Sequence, residues 1–216
     1  MKTNTCSGSF FQIGFALIAL VALSLSGCSI IPKPAADPTR NYVLATPPAT
    51  APAIAVHDSS AKKIVIGLRP IGMPDYLTGR KTIAVRHGNN EIVFNEFARW
   101  AEPLQSGIAR IVRERLVSSG VASSVEMLPG RAVRDYDLIV RITACEGSAT
   151  SPTEVTTSFS AEYEFTSPNG TLLTGIRYFT APPQTWDSKT FASLADSLSI
   201  AAAALADDIA QNLPAK

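Results

Sequence analysis

The chain has 216 residues, of which 46% are hydrophobic and 17% charged, with 19 basic and 18 acidic side chains. That length suffices for one domain with a sizeable core, and the composition is that of a globular rather than a disordered protein. The nearly balanced charge argues against nucleic acid as a partner and against membrane binding by charge alone.

The first element along the chain is a signal sequence that ends at a cysteine. Its apolar core, residues 15–25, is shorter than the roughly 20 apolar residues that a membrane span needs. The following Leu-Ser-Gly-Cys, residues 25–28, matches the lipobox of bacterial lipoproteins. We expect removal of residues 1–27 and lipid attachment at Cys28, since several acyl chains together give stable anchoring. The alternative is an ordinary secretory signal with a chance cysteine.

Residues 28–39 are predicted to form a lipidated tether, and the folded domain is expected over residues 40–216. Three prolines within this tether favour extended polyproline geometry of about 3 Å per residue. At full stretch the tether would hold the domain roughly 30 Å from the bilayer. Once Cys28 is acylated, Cys145 has no partner for an intrachain disulfide, so it is either a small buried hydrophobic residue or a reactive thiol.

Apolar and alternating patterns then predict a series of strands. They are expected at residues 40–44, 64–68, 82–86, 91–94, 125–128, 138–142, 155–165 and 172–179. The clearest is 155–165, where apolar and polar residues alternate as in a half-exposed antiparallel strand. Its outward face would carry Glu162 and Glu164 as solvated charges.

Two helices are predicted among these strands. The first begins after Pro103, carries apolar residues at helical spacing, and ends at Gly120. The second covers residues 189–213, with Asp187 or Ser188 as a possible cap. Its apolar stripe could pack on the sheet or against another subunit. Together the elements predict a single α/β domain.

No pattern in the sequence indicates catalysis, a cofactor or a metal. His57 and His87 fall in a loop and a turn, and neither has a second ligand at metal-binding spacing. A phosphate-binding glycine loop and a serine nucleophile elbow are both missing from the sequence. Asp135 and Asp137 flank a strand start, where solvated charges explain them better than an acid–base pair. We therefore predict a protein that is not an enzyme.

Residues 94–104 combine three aromatic side chains with charged ones between a predicted strand and a predicted helix. One interpretation is a connection held by buried Phe97 and Trp100, with Glu102 near the positive start of the helix. The other is a surface for a partner or a lipid, in which Phe97, Arg99, Trp100 and Glu102 make the contact.

The sequence of residues 97–104, Phe-Ala-Arg-Trp-Ala-Glu-Pro-Leu, resembles the F-x-R-W-A-E-P-L motif of the ABC-type transport auxiliary lipoproteins, the PqiC/YmbA group. Further segments resemble that family's landmarks in the same order, at residues 41–44, 66–77 and 135–138. The chain departs from the family pattern at Asn41, where an aromatic residue is frequent, and at Gly79, which is inserted before Arg80.

The resemblance implies a mixed, mostly antiparallel sheet packed by two main helices, similar to the N-terminal domain of TolB. It also implies a non-enzymatic subunit that works with an MCE-domain lipid-transport protein and inner-membrane transporter subunits, in some cases as a homo-oligomeric ring. Ser29 after Cys28 is compatible with sorting to the outer membrane. We expect a lipid-anchored docking subunit on the periplasmic face of that membrane. An envelope-assembly scaffold and a lipid-anchored hydrolase are the alternatives.

Overall fold

A computed structural model describes residues 36–47, 64–130, 133–151, 154–188 and 190–214 of the chain. The predicted signal sequence, Cys28, most of the tether and His57 lie outside these residues. The strands of the described part are β1 (Arg40–Tyr42), β2 (Val65–Leu68), β3 (Thr82–His87), β4 (Glu91–Trp100), β5 (Ser124–Met127), β6 (Tyr136–Ala149), β7 (Val155–Thr166) and β8 (Arg177–Thr180). The helices of the described part are α1 (Leu104–Ser118) and α2 (Phe191–Gln211).

The long strand β6 organises the sheet. Along one edge it pairs antiparallel with β7 from Asp137 to Ala149. Along the other edge it pairs in parallel with β2 near its start and with β3 near its end. β5 then joins β2, β4 and β1 follow β3, and β8 joins β7. The predicted single α/β domain with a mixed sheet and two helices is confirmed, and its longest ladder is antiparallel.

The chain between β2 and β3 follows the edge of β6 and contacts it at Gly72. The Gly72 amide donates to Val140 O, and the Ile142 amide donates to Gly72 O, both at 2.9 Å. A Cβ atom at residue 72 would lie 3.2 Å from Cγ of Arg141, so glycine permits this close approach. Residues 73–81 then leave the edge as a loop before β3 begins.

Helix α1 forms where the apolar spacing predicts it. Pro103 directly precedes the helix, and Gly120 follows it with a φ of +75°, a conformation that glycine adopts without strain. The predicted apolar side chains are all buried, namely Leu104, Ile108, Ile111, Val112 and Leu116. This stripe closes the core over the sheet.

Helix α2 packs against β7 and against α1, so within the chain its apolar stripe meets the sheet. Its N-cap is Thr190, whose hydroxyl accepts the amide of Ala192. The predicted caps, Asp187 and Ser188, are wrong because the helix starts two or three residues later than they require. Within the described residues, neither α2 nor α1 combines the length and apolar character needed to span a membrane.

Three strands differ most in length from their prediction. β4 continues to Trp100 and β6 continues to Ala149, because polar residues interrupt the apolar runs without ending the strands. β8 is shorter than predicted and begins at Arg177. The preceding Leu172 makes only an isolated bridge to Thr166, and its side chain is exposed. Apolar composition alone therefore misplaces these strand ends.

An ion pair between a buried arginine and a partly buried aspartate joins the two helices. Arg115 on α1 donates from Nε to Oδ1 of Asp207 at 2.6 Å and from Nη2 to Oδ2 at 2.7 Å. This two-point contact with the Asp207 carboxylate raises the pKa of the Arg115 guanidinium. The pair fixes the register of α2 against α1 in a layer that is otherwise held by apolar contacts.

Replacing Asp207 by asparagine should lower the free energy of unfolding by about 2 kcal/mol, because the buried guanidinium loses its charged acceptor. Urea denaturation of the purified protein measures this change. The matched control is Asp196→Asn on the exposed face of α2, which should stay within about 0.5 kcal/mol of the wild type. Equal effects of both substitutions would contradict a specific role for the pair.

Candidate docking site

The chain's N-terminal strand is joined to the segment that carries the F-x-R-W-A-E-P-L motif. β1 pairs in parallel with the end of β4, with Arg40 opposite Ala98 and Tyr42 opposite Trp100. The Ala101 amide continues the contact by donating to Tyr42 O at 2.8 Å. The residues that follow the predicted tether are therefore attached directly to residues 98–101.

Beyond β1, the chain is fastened to both helices. The buried side chain of Leu44 lies against Gly107 of α1, where a Cβ atom would come within 3.4 Å of Leu44 Cδ1. Arg110 donates from Nη2 to Leu44 O at 2.6 Å and to Glu102 Oε1 at 2.7 Å. On the other side, the Ala45 amide donates to the Ser199 hydroxyl of α2 at 2.9 Å. Glu102 thus orients the arginine that holds the N-terminal segment.

A bulge in β4 decides which motif residues face outward. Asn95 Oδ1 accepts the amides of Phe97 at 3.0 Å and Ala98 at 2.8 Å, and the pairing of β3 with β4 shifts register at this point. After the bulge, Ala98 and Trp100 are buried, whereas Phe97 and Arg99 are exposed. A bulge reverses the alternation of faces along a strand.

The four predicted contact residues therefore fall into two groups. Phe97 is 52% exposed and Arg99 is exposed beside it, whereas Trp100 is 3% exposed and belongs to the core. Glu102 is half-buried and bound to Arg110. The interpretation that Phe97 is buried in a connection is wrong, because β4 continues through this segment and the Asn95 bulge leaves Phe97 exposed. The outward pair Phe97 and Arg99 keeps the geometry of a contact surface, and we use "docking face" for these two side chains.

A buried glutamate holds the loop between β2 and β3. Glu146 of β6 accepts Arg86 Nε at 2.8 Å on one oxygen and the Tyr76 hydroxyl at 2.7 Å on the other. Burial and the hydrogen bond to Glu146 raise the pKa of Tyr76. Within the same loop Arg80 lies over the ring of Phe94, 4.5 Å from its centroid. The segment at residues 73–77 that resembles a family landmark is thus a support for β6 and β3.

Asp137 has a structural role that the sequence did not reveal. Its carboxylate is fully buried and accepts Arg69 Nη2 at 3.2 Å and also a bond from Arg134 Nε. The interpretation of Asp137 as a solvated strand-end charge is therefore wrong. Gly67 makes room for this cluster, because a Cβ atom there would collide with the Arg134 side chain. The nearby carboxylate of Asp135 accepts the Val65 amide at 2.9 Å and so joins the segment before β6 to β2.

Groups that could support hydrolysis do not converge in the described part of the chain. No cluster of three or more His, Cys, Asp or Glu side chains there could hold a metal ion. Cys145 is buried within β6, and burial raises the pKa of its thiol, which disfavours the reactive thiolate. His87 lies exposed at the end of β3. The arrangement of the described residues can position and bind.

Solved structures share this fold. A Xanthomonas campestris protein of the family DUF330 aligns with a TM-score of 0.59 and 16% identity, over 79% of this chain and 90% of its own. A second, uncharacterized protein aligns with a TM-score of 0.55 and 17% identity, over 68% of this chain and 90% of its own. At these identities the likeness shows the fold alone.

Sequence comparison adds a family. The model of the family described as "ABC-type transport auxiliary lipoprotein component" matches residues 42–210, which run from β1 to the last turn of α2. No curated protein matches the chain significantly. The matched range includes the docking face, the loop at residues 73–81, and Asp137 with the two arginines that bind it.

The protein should lose stability as the pH rises above 10. Burial and hydrogen bonds to Glu146 and Asp208 raise the pKa values of Tyr76 and Tyr163 above the usual 10.0. Folding therefore favours the protonated phenols, and their contribution is complete below pH 10 and is lost as the pH climbs past it.

Measuring the free energy of unfolding from pH 8 to 11.5 tests this dependence. Tyr76→Phe should remove one of the two contributions and flatten the profile. Tyr178→Phe, at a largely exposed ring, should leave the profile as in the wild type. An unchanged slope in Tyr76→Phe would contradict the role given to the Glu146 contact.

Proposed function

The chain belongs to the family of ABC-type transport auxiliary lipoprotein components, and from that membership we propose that it is the lipid-anchored docking subunit of an MCE-type system that moves lipid between membranes. Cys28 would carry the anchor on the periplasmic face of the outer membrane. The domain would bind the distal end of an MCE-domain protein whose other end meets the inner-membrane transporter subunits. This family is not an enzyme family, and among the described residues no group of His, Cys, Asp or Glu side chains could hold a metal ion.

The attachment of β1 to the motif segment is the observation that carries this proposal. The residues following the predicted tether pair with residues 98–100, which include Arg99 of the docking face, and Phe97 directly precedes them on the same strand. Anchor and contact surface would thus share one rigid element. A subunit that works by position needs such a connection, because a flexible joint there would decouple the contact surface from the membrane.

The closure of residues 44–45 over the helices strengthens the same argument. Arg110 and Ser199 bind the carbonyl and the amide of the peptide group between Leu44 and Ala45, and the Leu44 side chain is buried against Gly107 of α1. Tension on the tether would therefore be carried first by the β1 ladder and then by a buried side chain with two backbone contacts. Such an arrangement keeps the domain folded while the anchor stays in the bilayer.

Replacing Cys28 by serine should abolish labelling of the protein by radioactive palmitate and release it from the envelope fraction. The reason is that serine offers no thiol to the diacylglyceryl group. Cys145→Ser is the matched control, since that cysteine is buried; it should keep both labelling and fractionation. Retention of the palmitate label in the Cys28→Ser protein would contradict lipid attachment at Cys28.

A photo-crosslinking amino acid at Phe97 should capture an MCE-domain protein in intact cells, because this side chain projects from the docking face. The control position is Ile200, which is 45% exposed on α2 and lies away from β4. Crosslinks from both positions, or from neither, would argue against the docking face. Capture of secretion or peptidoglycan-binding proteins from position 97 would favour the scaffold alternative.

Arg99→Glu should weaken the same crosslink from position 97 several-fold, because reversing a charge in an interface costs affinity without altering the fold. Arg177→Glu, an exposed charge on β8, serves as the control.

A further inference from the structure

A groove opens where the end of β3 and the start of β4 meet the turn after β6 and the start of α2. Its volume is about 610 Å³, which lies within the range of small-molecule sites. We call it the end groove, and its apolar lining consists mainly of Val85, Val93, Val155, Trp186 and Phe191. The docking face is not among the residues that line it.

The floor of the end groove is apolar. Val85, Val155 and Trp186 are buried, and the rings of Trp186 and Phe191 lie 5.5 Å apart between centroids. Trp186 Nε1 donates to Thr156 O at 2.9 Å, so the indole N–H already has its acceptor. A floor of this kind binds an aliphatic chain better than a polar or hydrogen-bonding ligand.

The rim of the groove is polar. Glu91 stands opposite His87 at the turn of the β3–β4 hairpin, and Ser188 lies across the opening. Glu91 is the charged group among the described lining residues, while Lys189 lies outside the described residues. A carboxylate at the mouth of an apolar groove favours a ligand whose polar end carries a cation, and it opposes a purely anionic one.

We propose that the end groove binds one acyl chain of a phospholipid with an ammonium headgroup, of the phosphatidylethanolamine class. The chain lies on the floor formed by Val85, Val155 and Trp186, and the ammonium group lies near Glu91. This inference goes beyond the proposed function, which requires no contact between the domain and lipid. It gives a lipid-transport subunit a place to hold a chain during transfer.

Tryptophan fluorescence tests the proposal directly, because Trp186 forms part of the floor. The full chain is purified without detergent as the Cys28→Ser variant and titrated with lysophosphatidylethanolamine that carries a brominated acyl chain, below its micelle concentration. We expect saturable quenching that disappears in Trp186→Phe, in which the core residue Trp100 remains. Quenching that persists in Trp186→Phe, or that never saturates, overturns the proposal.

Matched substitutions locate the binding. Val93 at the rim and Val117 on α1 are both 43% exposed. Val93→Phe fills the groove and should raise the dissociation constant at least about tenfold, whereas Val117→Phe should leave it unchanged. Equal affinities in the two variants overturn the proposal.

Glu91→Lys is a second variant at an exposed position that leaves the apolar lining intact. The wild type should bind lysophosphatidylethanolamine more tightly than lysophosphatidylglycerol, and the Glu91→Lys protein should show the opposite order of affinities. An anionic lysolipid that binds the wild type as tightly as the zwitterionic one overturns the headgroup assignment. If the protein binds no lysolipid while the crosslinker at position 97 still captures the MCE-domain protein, this inference is refuted and the proposed docking function stands.

Discussion

The antiparallel ladder between β6 and β7 is the constraint on which the rest of the structure depends. It runs from Asp137 to Ala149, and it gives β6 enough length to hold two separate strands, β2 and β3, along its other edge. Every further strand attaches through these three neighbours, and α2 packs on β7. A shorter β6 would divide the sheet into two unconnected halves. The contact at Gly72 keeps the edge continuous between them.

Charged side chains are buried or partly buried where this scaffold is joined to its neighbours. Glu146 ties the loop after β2 to β6, Asp137 ties the start of β6 to the segments on either side, and Asp207 ties α2 to α1. Each of these carboxylates meets at least one guanidinium, which offsets the cost of removing both charges from water. Such pairs demand definite geometry, so they fix register where apolar packing alone would tolerate sliding.

The same logic joins structure to the proposed role. A lipid anchor can position a domain only if the tether ends on a rigid element, and the predicted tether would lead into β1, which pairs with the strand of the docking face. The motif of residues 97–104 serves both purposes, since Trp100 and Glu102 build the joint while Phe97 and Arg99 remain outside. The start of the same strand, from Glu91 to the bulge at Asn95, lines part of the end groove.

The sequence by itself determined the α/β class, the lipobox, both helices and the alternating strand β7, because these rest on local periodicity and on short motifs. It also pointed to the motif segment. Only the tertiary structure decided which way that segment faces, since it continues β4 where the sequence predicts a connection, and the Asn95 bulge in that strand leaves Phe97 exposed. It also showed Asp137 to be buried, because one of the two arginines that stabilise its charge, Arg69, is 68 residues away in sequence. Local patterns record a residue's polarity, whereas its burial depends on partners that folding brings together.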